Sequence, residues 1–255
     1  IVPTTRGPEA SRDLNEIKRE IRLAVHRGAK EVMLLGQTVN SYGLDLNPRM
    51  SFARLLDEIS QIEGLERIRF ISPHPQEVKD DFIELVGSNA KICRHIHMPL
   101  QSGSDRILKL MNRNYRRKRY LAIIEALKAR VPDISITTDI IVGFPTETEA
   151  EFQESLEIMK LVDYDASFSF AFSPRPGTIA ATMKDDVPHE VKLDRLYRLQ
   201  AMQDEMTARR LSSWVGKRAE VLFEGPSAQR ADCLFGRSSQ NFTVNLEQPV
   251  VRQPA

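Results

Sequence analysis

The sequence contains few cysteines: Cys93 and Cys233 are the only two among its 255 residues. Two cysteines cannot form a disulfide framework, which indicates a reducing compartment. Neither has a second cysteine at the spacing that an iron–sulfur cluster or a metal ion needs. We therefore interpret both as small packed residues and expect no metal ligand among the residues of this chain.

Long apolar runs are also lacking. No segment approaches the roughly 20 apolar residues of a membrane-spanning helix, and no signal peptide opens the sequence. We expect a cytoplasmic protein that contacts no membrane. The formal net charge is only +1, so binding to a nucleic acid would depend on a local basic patch.

Strand-like and helix-like segments alternate between Asp13 and Ala171. Asp13 is the expected N-cap of the first helix, and Gly28 ends that helix. The predicted strands are residues 31–35, 67–71, 95–98, 134–142 and 167–172, and further helices are predicted at residues 51–62, 78–86, 120–130 and 149–161. This rhythm predicts an α/β fold with a parallel sheet and right-handed crossovers.

A loop with polar residues or glycine follows each predicted strand. These loops are residues 36–37, 72–74, 101–103, 143–145 and 173–175. The carboxyl ends of parallel strands share one edge of the sheet, where β/α enzymes place their active sites. The convergence of five such loops indicates an enzyme.

The C-terminal part of the sequence has a different pattern. A helix predicted at residues 188–212 leads to Trp214, and two strands are predicted at residues 219–223 and 242–246, with turns at Gly225-Pro226 and Gly236-Arg237. This pattern predicts a small β domain, seen incompletely. Because the sequence opens at Ile1 without a methionine and stops at Ala255 without a closing element, we expect a fragment.

Six segments stand in the same order as in radical-SAM methylthiotransferases, and the chain resembles that family over almost its whole length. They are residues 1–12 (IVPTTRGPEASR), 34–42 (LLGQTVNSY), 97–104 (HMPLQSGS), 111–113 (MNR), 137–145 (TTDIIVGFP) and 173–178 (SPRPGT). Residues 216–237 in turn resemble part of a TRAM domain. One departure is Thr146, which stands where the family usually has glycine.

The resemblance implies a domain organisation. Residues 1–190 would form a partial (β/α)6 TIM-like radical-SAM barrel, with its first strand and its C-x-x-x-C-x-x-C motif missing before Ile1. Residues 191–212 would be a connecting helix, and residues 213–255 a truncated TRAM-like β-barrel that binds RNA. The chain would then hold no catalytic residue or cluster cysteine of its own, and we expect it to be inactive alone.

The resemblance also implies a function. Residues 1–3 and 173–178 are most similar to the MiaB-type branch, which adds a methylthio group to C2 of N6-isopentenyladenosine beside the tRNA anticodon. The implied cofactors are S-adenosyl-L-methionine (SAM) and two [4Fe-4S] clusters. The implied partners are tRNA and a reductant such as flavodoxin or ferredoxin, and a monomer is expected.

Three alternatives stay open. A threonylcarbamoyladenosine tRNA methylthiotransferase shares most of the motifs. A cluster-free RNA-binding module is an alternative of another class. A metal-dependent hydrolase on a β/α barrel would need ligands such as His74, His97 and Asp139.

The SAM-binding residues implied by the resemblance lie within or just after three of the predicted strands: Gln37, Gln101, Ser102, Gly103, Asp139, Val142, Gly143 and Phe144. Gln37 would meet the methionyl amino group, residues 101–103 the ribose and sulfonium, and residues 141–145 the adenine. A simpler reading makes Gly143-Phe144-Pro145 only a turn into a helix. Asp139 lies in an apolar strand and either contacts ligand or pairs with an arginine.

Two further sets complete the predicted site. Asn40, His74 and Arg175 are expected to line the substrate pocket, although Arg175 would also suit a surface turn. His95 and His97 share one face of a strand but have no third ligand, so they are interpreted as structural. The predicted RNA-binding residues are Arg113, Arg116, Arg117, Lys118, Arg119, Lys217 and Arg237. The run from Arg113 to Arg119 fits a solvated helix start equally well.

Overall fold

The computed structural model describes residues 7, 9–230 and 232–247. The predicted strand end at residues 1–3 and the last residues, 248–255, lie outside the described part. The helices are α1 (Leu14–His26), α2 (Phe52–Ser60), α3 (Asp80–Ser88), α4 (Asp105–Leu110), α5 (Arg117–Arg130), α6 (Glu149–Val162) and α7 (His189–Ser212). The strands are β1 (Glu31–Leu34), β2 (Arg67–Phe70), β3 (His95–His97), β4 (Ser135–Val142), β5 (Ala166–Ala171), β6 (Val221–Pro226), β7 (Cys233–Ser238) and β8 (Thr243–Glu247).

The first five strands run parallel, as the alternating pattern predicts. Strand β1 pairs with β2, and β4 pairs with both β3 and β5. A parallel bridge between Ile68 and Ile92 joins the two groups just before β3 begins. Each strand therefore neighbours the next one in the sequence, with helices α2 to α6 forming the connections between them and α1 preceding β1.

The helices pack on one face of these strands. Alternate residues of β4 (Ile136, Ile140 and Val142) are fully buried in the main apolar core, while Asp139 and Ile141 lie on the opposite face and are partly exposed. We call that opposite face the inner face.

Helix α1 begins where the sequence predicts, because the Asp13 side chain accepts from the backbone N–H groups of the first turn.

One short helix was missed, and the two predicted turns of the C-terminal part were wrong. Helix α4 was not predicted, because its six residues are too few to establish a helical period. Gly225-Pro226 is not a turn but the paired end of strand β6, and Gly236-Arg237 lies within strand β7, between β6 and β8. A Cβ atom at Gly236 would lie 2.5 Å from the Leu222 carbonyl oxygen, so this glycine permits close approach of two strands.

Strands β6, β7 and β8 form an antiparallel sheet that, among the described residues, does not close into a barrel. It packs at the amino-terminal ends of the parallel strands. There the Arg67 guanidinium donates to the carbonyl oxygens of Arg237 and Glu220, at 2.9 and 3.0 Å. Arg69 donates to the Ser238 carbonyl at 2.7 Å and to the Glu31 carboxylate at 2.8 Å. Both arginine side chains are almost completely buried.

Glu151, in the first turn of α6, links this helix to α4. Its carboxylate accepts from the Arg106 guanidinium at 2.6 Å and from Ser104, and it completes a capping box with Thr148. The hydrogen bonds from Arg106 are the main cause that lowers the Glu151 pKa to about 2, and those from Thr148 and Ser104 act in the same direction.

This pKa shift predicts an acid-sensitive contribution to stability. The folded-state pKa lies below the unfolded one, so the stabilisation is present above about pH 4.3 and is lost as the pH falls toward 2. Glu151→Gln should remove about 2 kcal/mol at pH 7 and flatten the pH dependence in that window, as measured by urea unfolding. The matched control is Glu125→Gln, an exposed carboxylate on α5. Equal pH profiles for the Glu151 variant and the wild type would contradict the assignment.

Candidate functional site

A cavity of about 430 Å³ opens at the carboxyl ends of β1, β2 and β3. The loops after these strands form its wall, and the residues with polar side chains around it are Glu9, Gln37, Thr38, Ser72, His74, Gln101, Arg113 and Tyr115. The convergence of loops inferred from the sequence is thus present for three of the five strands. Gln37, His74 and Gln101, predicted from separate motifs, line the same space.

Arg113 also lies in this cavity, apart from the rest of the predicted RNA-binding run. Asn112 takes a left-handed conformation (φ 57°) directly after α4, which turns the chain toward the cavity. The Arg113 Nε atom is buried and has no hydrogen-bond partner among the described residues. Burial and the neighbouring Arg113 charge lower the pKa of His74, so the cavity holds one guanidinium beside a neutral imidazole at pH 7. The Arg113 guanidinium is therefore suited to bind an oxyanion.

Asn40 supports the cavity wall instead of facing a ligand. Its side-chain amide donates to the His74 carbonyl oxygen at 3.0 Å, and its Oδ1 accepts from the His74 N–H at 2.7 Å. Both ends of the buried amide are therefore used to hold the loop after β2. Asn40 was predicted to line the substrate pocket. In the structure it holds the main chain of His74, which itself lines the cavity.

Gln101 and Asp139 are brought together by the main chain. Gln101 has a left-handed backbone (φ 70°), and its N–H donates to the Asp139 carbonyl at 2.8 Å. The Ile141 N–H in turn donates to the Gln101 carbonyl at 2.9 Å. The carboxylate of Asp139 meets no arginine among the described residues; its basic neighbour is His97, with 3.4 Å between Nε2 and Oδ2.

Ser102 and Gly103 lie behind the site. Ser102 is fully buried, and the Gly103 N–H donates to the Ser155 hydroxyl on α6 at 2.8 Å. A Cβ atom at Gly103 would lie 2.5 Å from the backbone of Glu154 and Ser155. Their small size lets this loop pack against α6, which fixes Gln101 at the cavity.

The predicted adenine-binding turn is likewise enclosed. Val142 is fully buried, and Phe144 is 3% exposed and packs edge-on against Phe172. The Gly143 N–H donates to the Glu147 carboxylate at 2.7 Å. At the end of β4, the Ile141 side chain lies on the open inner face and is partly exposed.

The structure shows how a threonine is accommodated at position 146, where the family usually has glycine. Thr146 adopts a left-handed backbone (φ 69°), the conformation that favours glycine. Its carbonyl and hydroxyl oxygens accept from Arg106, and its N–H donates to Asp186 at 2.7 Å. These hydrogen bonds offset the backbone strain at a non-glycine residue.

The rest of the predicted RNA-binding run is mostly engaged within the protein. Arg116 donates to main-chain carbonyls of its own loop, Arg117 pairs with Glu157, and Arg119 donates to the Val78 carbonyl. Lys118 is exposed. Most side chains of this run therefore make contacts within the protein that hold the start of α5 in place.

The remaining predicted residues lie away from the cavity. Arg175 is on an exposed loop, and its carbonyl accepts from the Thr178 N–H and hydroxyl. Lys217 is exposed and lies over the Trp214 ring, at 5.7 Å from its centroid. Arg237 lies over the Phe235 ring of β7 and donates to the Asn241 side chain.

Within residues 7, 9–230 and 232–247, no group of three histidine, cysteine or acidic side chains could hold a metal ion. Cys93 and Cys233 are both buried, and burial raises the Cys93 pKa to about 11. His74, His97 and Asp139 do not form the ligand set that the hydrolase alternative needs. In the same part of the chain, no helix is long and apolar enough to cross a membrane.

Parallel strands joined by helices, with a polar cavity at their carboxyl edge, are an arrangement found in many β/α enzymes. The radical SAM superfamily matches residues 1–159, and the chain belongs to this superfamily. Coproporphyrinogen III oxidase from Escherichia coli, a radical SAM enzyme, has a similar fold, with a TM-score of 0.57 over 89% of this chain and 59% of that one, at 18% identity. Methylornithine synthase gives a TM-score of 0.50 over 79% and 60%, at 17% identity.

Sequence relatives are more specific. The tRNA-2-methylthio-N(6)-dimethylallyladenosine synthase of Clostridium botulinum is 46% identical over 246 residues, covering 96% of this chain and 55% of that protein. The synthase of the same name from Acetivibrio thermocellus is 45% identical, covering 97% and 52%. The chain thus spans about half the length of these relatives.

Proposed function

We propose that the protein to which this chain belongs is a tRNA methylthiotransferase that modifies C2 of N6-isopentenyladenosine beside the anticodon. The observation that carries the proposal is the cavity, which joins Gln37, Gln101 and Arg113 from three separate family motifs. The 45–46% identity to synthases acting on dimethylallyladenosine, the same nucleoside, favours this substrate over threonylcarbamoyladenosine.

In this proposal the cavity and the adjoining inner face hold SAM. Arg113 binds its carboxylate, since a buried guanidinium nitrogen without a partner suits an oxyanion. Gln37 and Gln101 contact its amino group and ribose, and Asp139 accepts from ribose hydroxyls because a carboxylate offers only acceptors. Ile141 provides an apolar wall for the adenine. When bound, SAM and the iron–sulfur clusters supply the radical and the methylthio group.

We further propose that residues 213–255 form an RNA-binding module of TRAM type after a connecting helix at 191–212. Lys217 and Arg237, each stacked on an aromatic ring, would contact tRNA. His74 would border the substrate, while Arg175 and Lys118, both exposed, would contact RNA outside the cavity. A monomer working in the cytoplasm with a flavodoxin- or ferredoxin-type reductant fits this role.

Nucleoside analysis of tRNA tests the substrate directly. Deleting the gene should abolish the 2-methylthio derivative of isopentenyladenosine and leave unmodified isopentenyladenosine in its place. The 2-methylthio derivative of threonylcarbamoyladenosine should stay at its wild-type level. If the isopentenyl derivative persisted in the deletion strain, the proposed substrate would be wrong.

The role of Arg113 predicts a loss of SAM affinity. Arg113→Gln should raise the SAM dissociation constant of the cluster-loaded protein about tenfold, since a charge-assisted hydrogen bond contributes ~1.5 kcal/mol or more. Equilibrium dialysis with labelled SAM measures this. Lys109→Gln is the control, because Lys109 has the same charge and is exposed on nearby α4. Unchanged SAM affinity together with weaker RNA binding would return Arg113 to the RNA-binding set.

A further inference from the structure

Four side chains form a continuous polar chain along the inner face of β3 and β4. The Thr137 hydroxyl lies between two imidazoles: His95 Nε2 is 3.0 Å from its oxygen, and His97 Nδ1 is also 3.0 Å from it. The other ring nitrogen of His97 lies 3.4 Å from the Asp139 carboxylate. The chain thus runs from the base of the strands to the carboxylate assigned to the cofactor.

The direction of the protons in this chain can be worked out by counting donors. Because a carboxylate only accepts, we assign the proton of His97 to Nε2, 3.4 Å from Asp139. With Nδ1 unprotonated and accepting, the single Thr137 hydroxyl proton points to it. Thr137 Oγ1 must consequently accept from His95, which places the proton of His95 on Nε2.

The surroundings keep His95 neutral and His97 in place. Burial lowers the His95 pKa to about 3, and the nearby charges of Arg69 and Arg237 act in the same direction. The His97 side chain is 15% exposed, and its ring packs edge-on against Phe168 of β5, with 5.8 Å between centroids. A neutral His95 with one ring proton is the partner that the proton count requires.

We propose that His97, oriented by Thr137 and His95, is a positioning residue that holds the Asp139 carboxylate in the orientation that receives the hydroxyl groups of the cofactor ribose. This inference rests on the proposed function, which places SAM beside Asp139. It gives the two histidines a role that their lack of a third metal ligand had left open. Thr137 is the key member, since it fixes the ring nitrogen that His97 presents to Asp139.

The proton arrangement is testable without any cofactor. Nitrogen-15 NMR of the imidazole rings in the 255-residue chain should show His95 and His97 in the Nε2–H tautomer at pH 7.5. Signals are assigned by the loss of each in His95→Gln and His97→Gln. An Nδ1–H tautomer of His97 would overturn the proposal. Thr137→Val should remove the tautomer preference of His97, and Thr137→Ser should retain it.

Binding measurements separate positioning from general structural damage. In the cluster-loaded protein, Thr137→Val should raise the dissociation constant of SAM threefold to tenfold. For a SAM analogue that lacks both ribose hydroxyls, the same substitution should change it less than twofold. Thr137→Ser should restore the wild-type value. The control Ser167→Ala removes a buried hydroxyl on β5 that has no partner among the described residues, and it should change neither constant.

The outcomes distinguish a failure of the positioning role from a failure of the proposed function. Equal weakening of SAM and of the analogue by Thr137→Val would mean structural damage and overturn the positioning role, as would no weakening of either. If the wild-type loaded protein bound no SAM, the proposed function would fail, and the role of Asp139 with it. The NMR result on the proton arrangement would still stand in that case.

Discussion

Replacing Arg195 by methionine should lower the free energy of unfolding by about 3–5 kcal/mol, the usual cost of leaving a buried charge without its partner. Arg195 on α7 donates to the Glu147 carboxylate at 2.8 Å, and both side chains are at most 5% exposed. Burial already raises the Glu147 pKa. Without the guanidinium, the carboxylate would keep only the Gly143 N–H as a hydrogen-bond donor.

A double-mutant cycle isolates this pair. Glu147→Gln removes the charge that needs Arg195, so the double variant should lose clearly less than the sum of the two single losses. The defect of Arg195→Met should also shrink as the pH falls. A carboxyl group with a raised folded-state pKa is protonated first in the folded state, so acid favours folding at this site.

Arg198→Met is the matched control for this experiment, measured by urea unfolding. Arg198 lies one turn further along α7 and pairs with Glu149 and Asp194 at the surface. Exposed ion pairs contribute little, so the loss should stay below about 1 kcal/mol. Equal losses for the two arginine variants would show that burial of the Arg195–Glu147 pair does not determine the effect.

The parallel sheet could be predicted because strand-like segments alternate with helix-like ones and each strand is followed by a polar loop. The same reasoning failed for β7, where Gly236 looks like a turn residue. Its lack of a side chain instead lets β7 approach Leu222 of β6. A sequence pattern indicates that a glycine is needed but does not say whether a turn or a close contact needs it.

The site was predicted at the level of loops but less well at the level of side chains. Ser102 and Gly103 follow β3 as expected, yet their small size serves packing against α6. Arg113 was grouped with the basic run because the residues are adjacent in sequence. The left-handed backbone at Asn112 sends Arg113 into the cavity, and an asparagine just after a helix end was the signal that could have indicated this turn.

His97 was interpreted as structural because His95 and His97 share a strand face but have no third metal ligand. Its partners come from the neighbouring strand: Thr137 and Asp139 on β4 lie beside β3 in the parallel register. Strand pairing is a long-range property, so no spacing within either motif could reveal this contact.

The second large effect is expected at the base of the parallel strands, where Arg69→Met should release the small antiparallel sheet. The substitution leaves the carbonyl groups of Ser238 and Ser239 and the Glu31 carboxylate without their buried donor. The free energy of opening this interface should fall by about 3 kcal/mol or more. The parallel strands should stay folded, because the apolar core lies on their other face.

Cys93 provides the measurement. It lies at this interface, 3% exposed and 3.9 Å from Glu31, and burial raises its thiol pKa to about 11. In the closed protein it should react slowly with a maleimide at pH 8, and each opening should expose it. In a Cys233→Ser background, Arg69→Met should accelerate labelling of Cys93 at least a hundredfold, since ~2.7 kcal/mol corresponds to that factor.

The neighbouring control Arg94→Met removes a half-exposed ion pair with Asp133 and should change the rate less than fivefold. An unchanged labelling rate in the Arg69 variant would mean that apolar packing, and not the buried arginine, holds the small sheet against the strands.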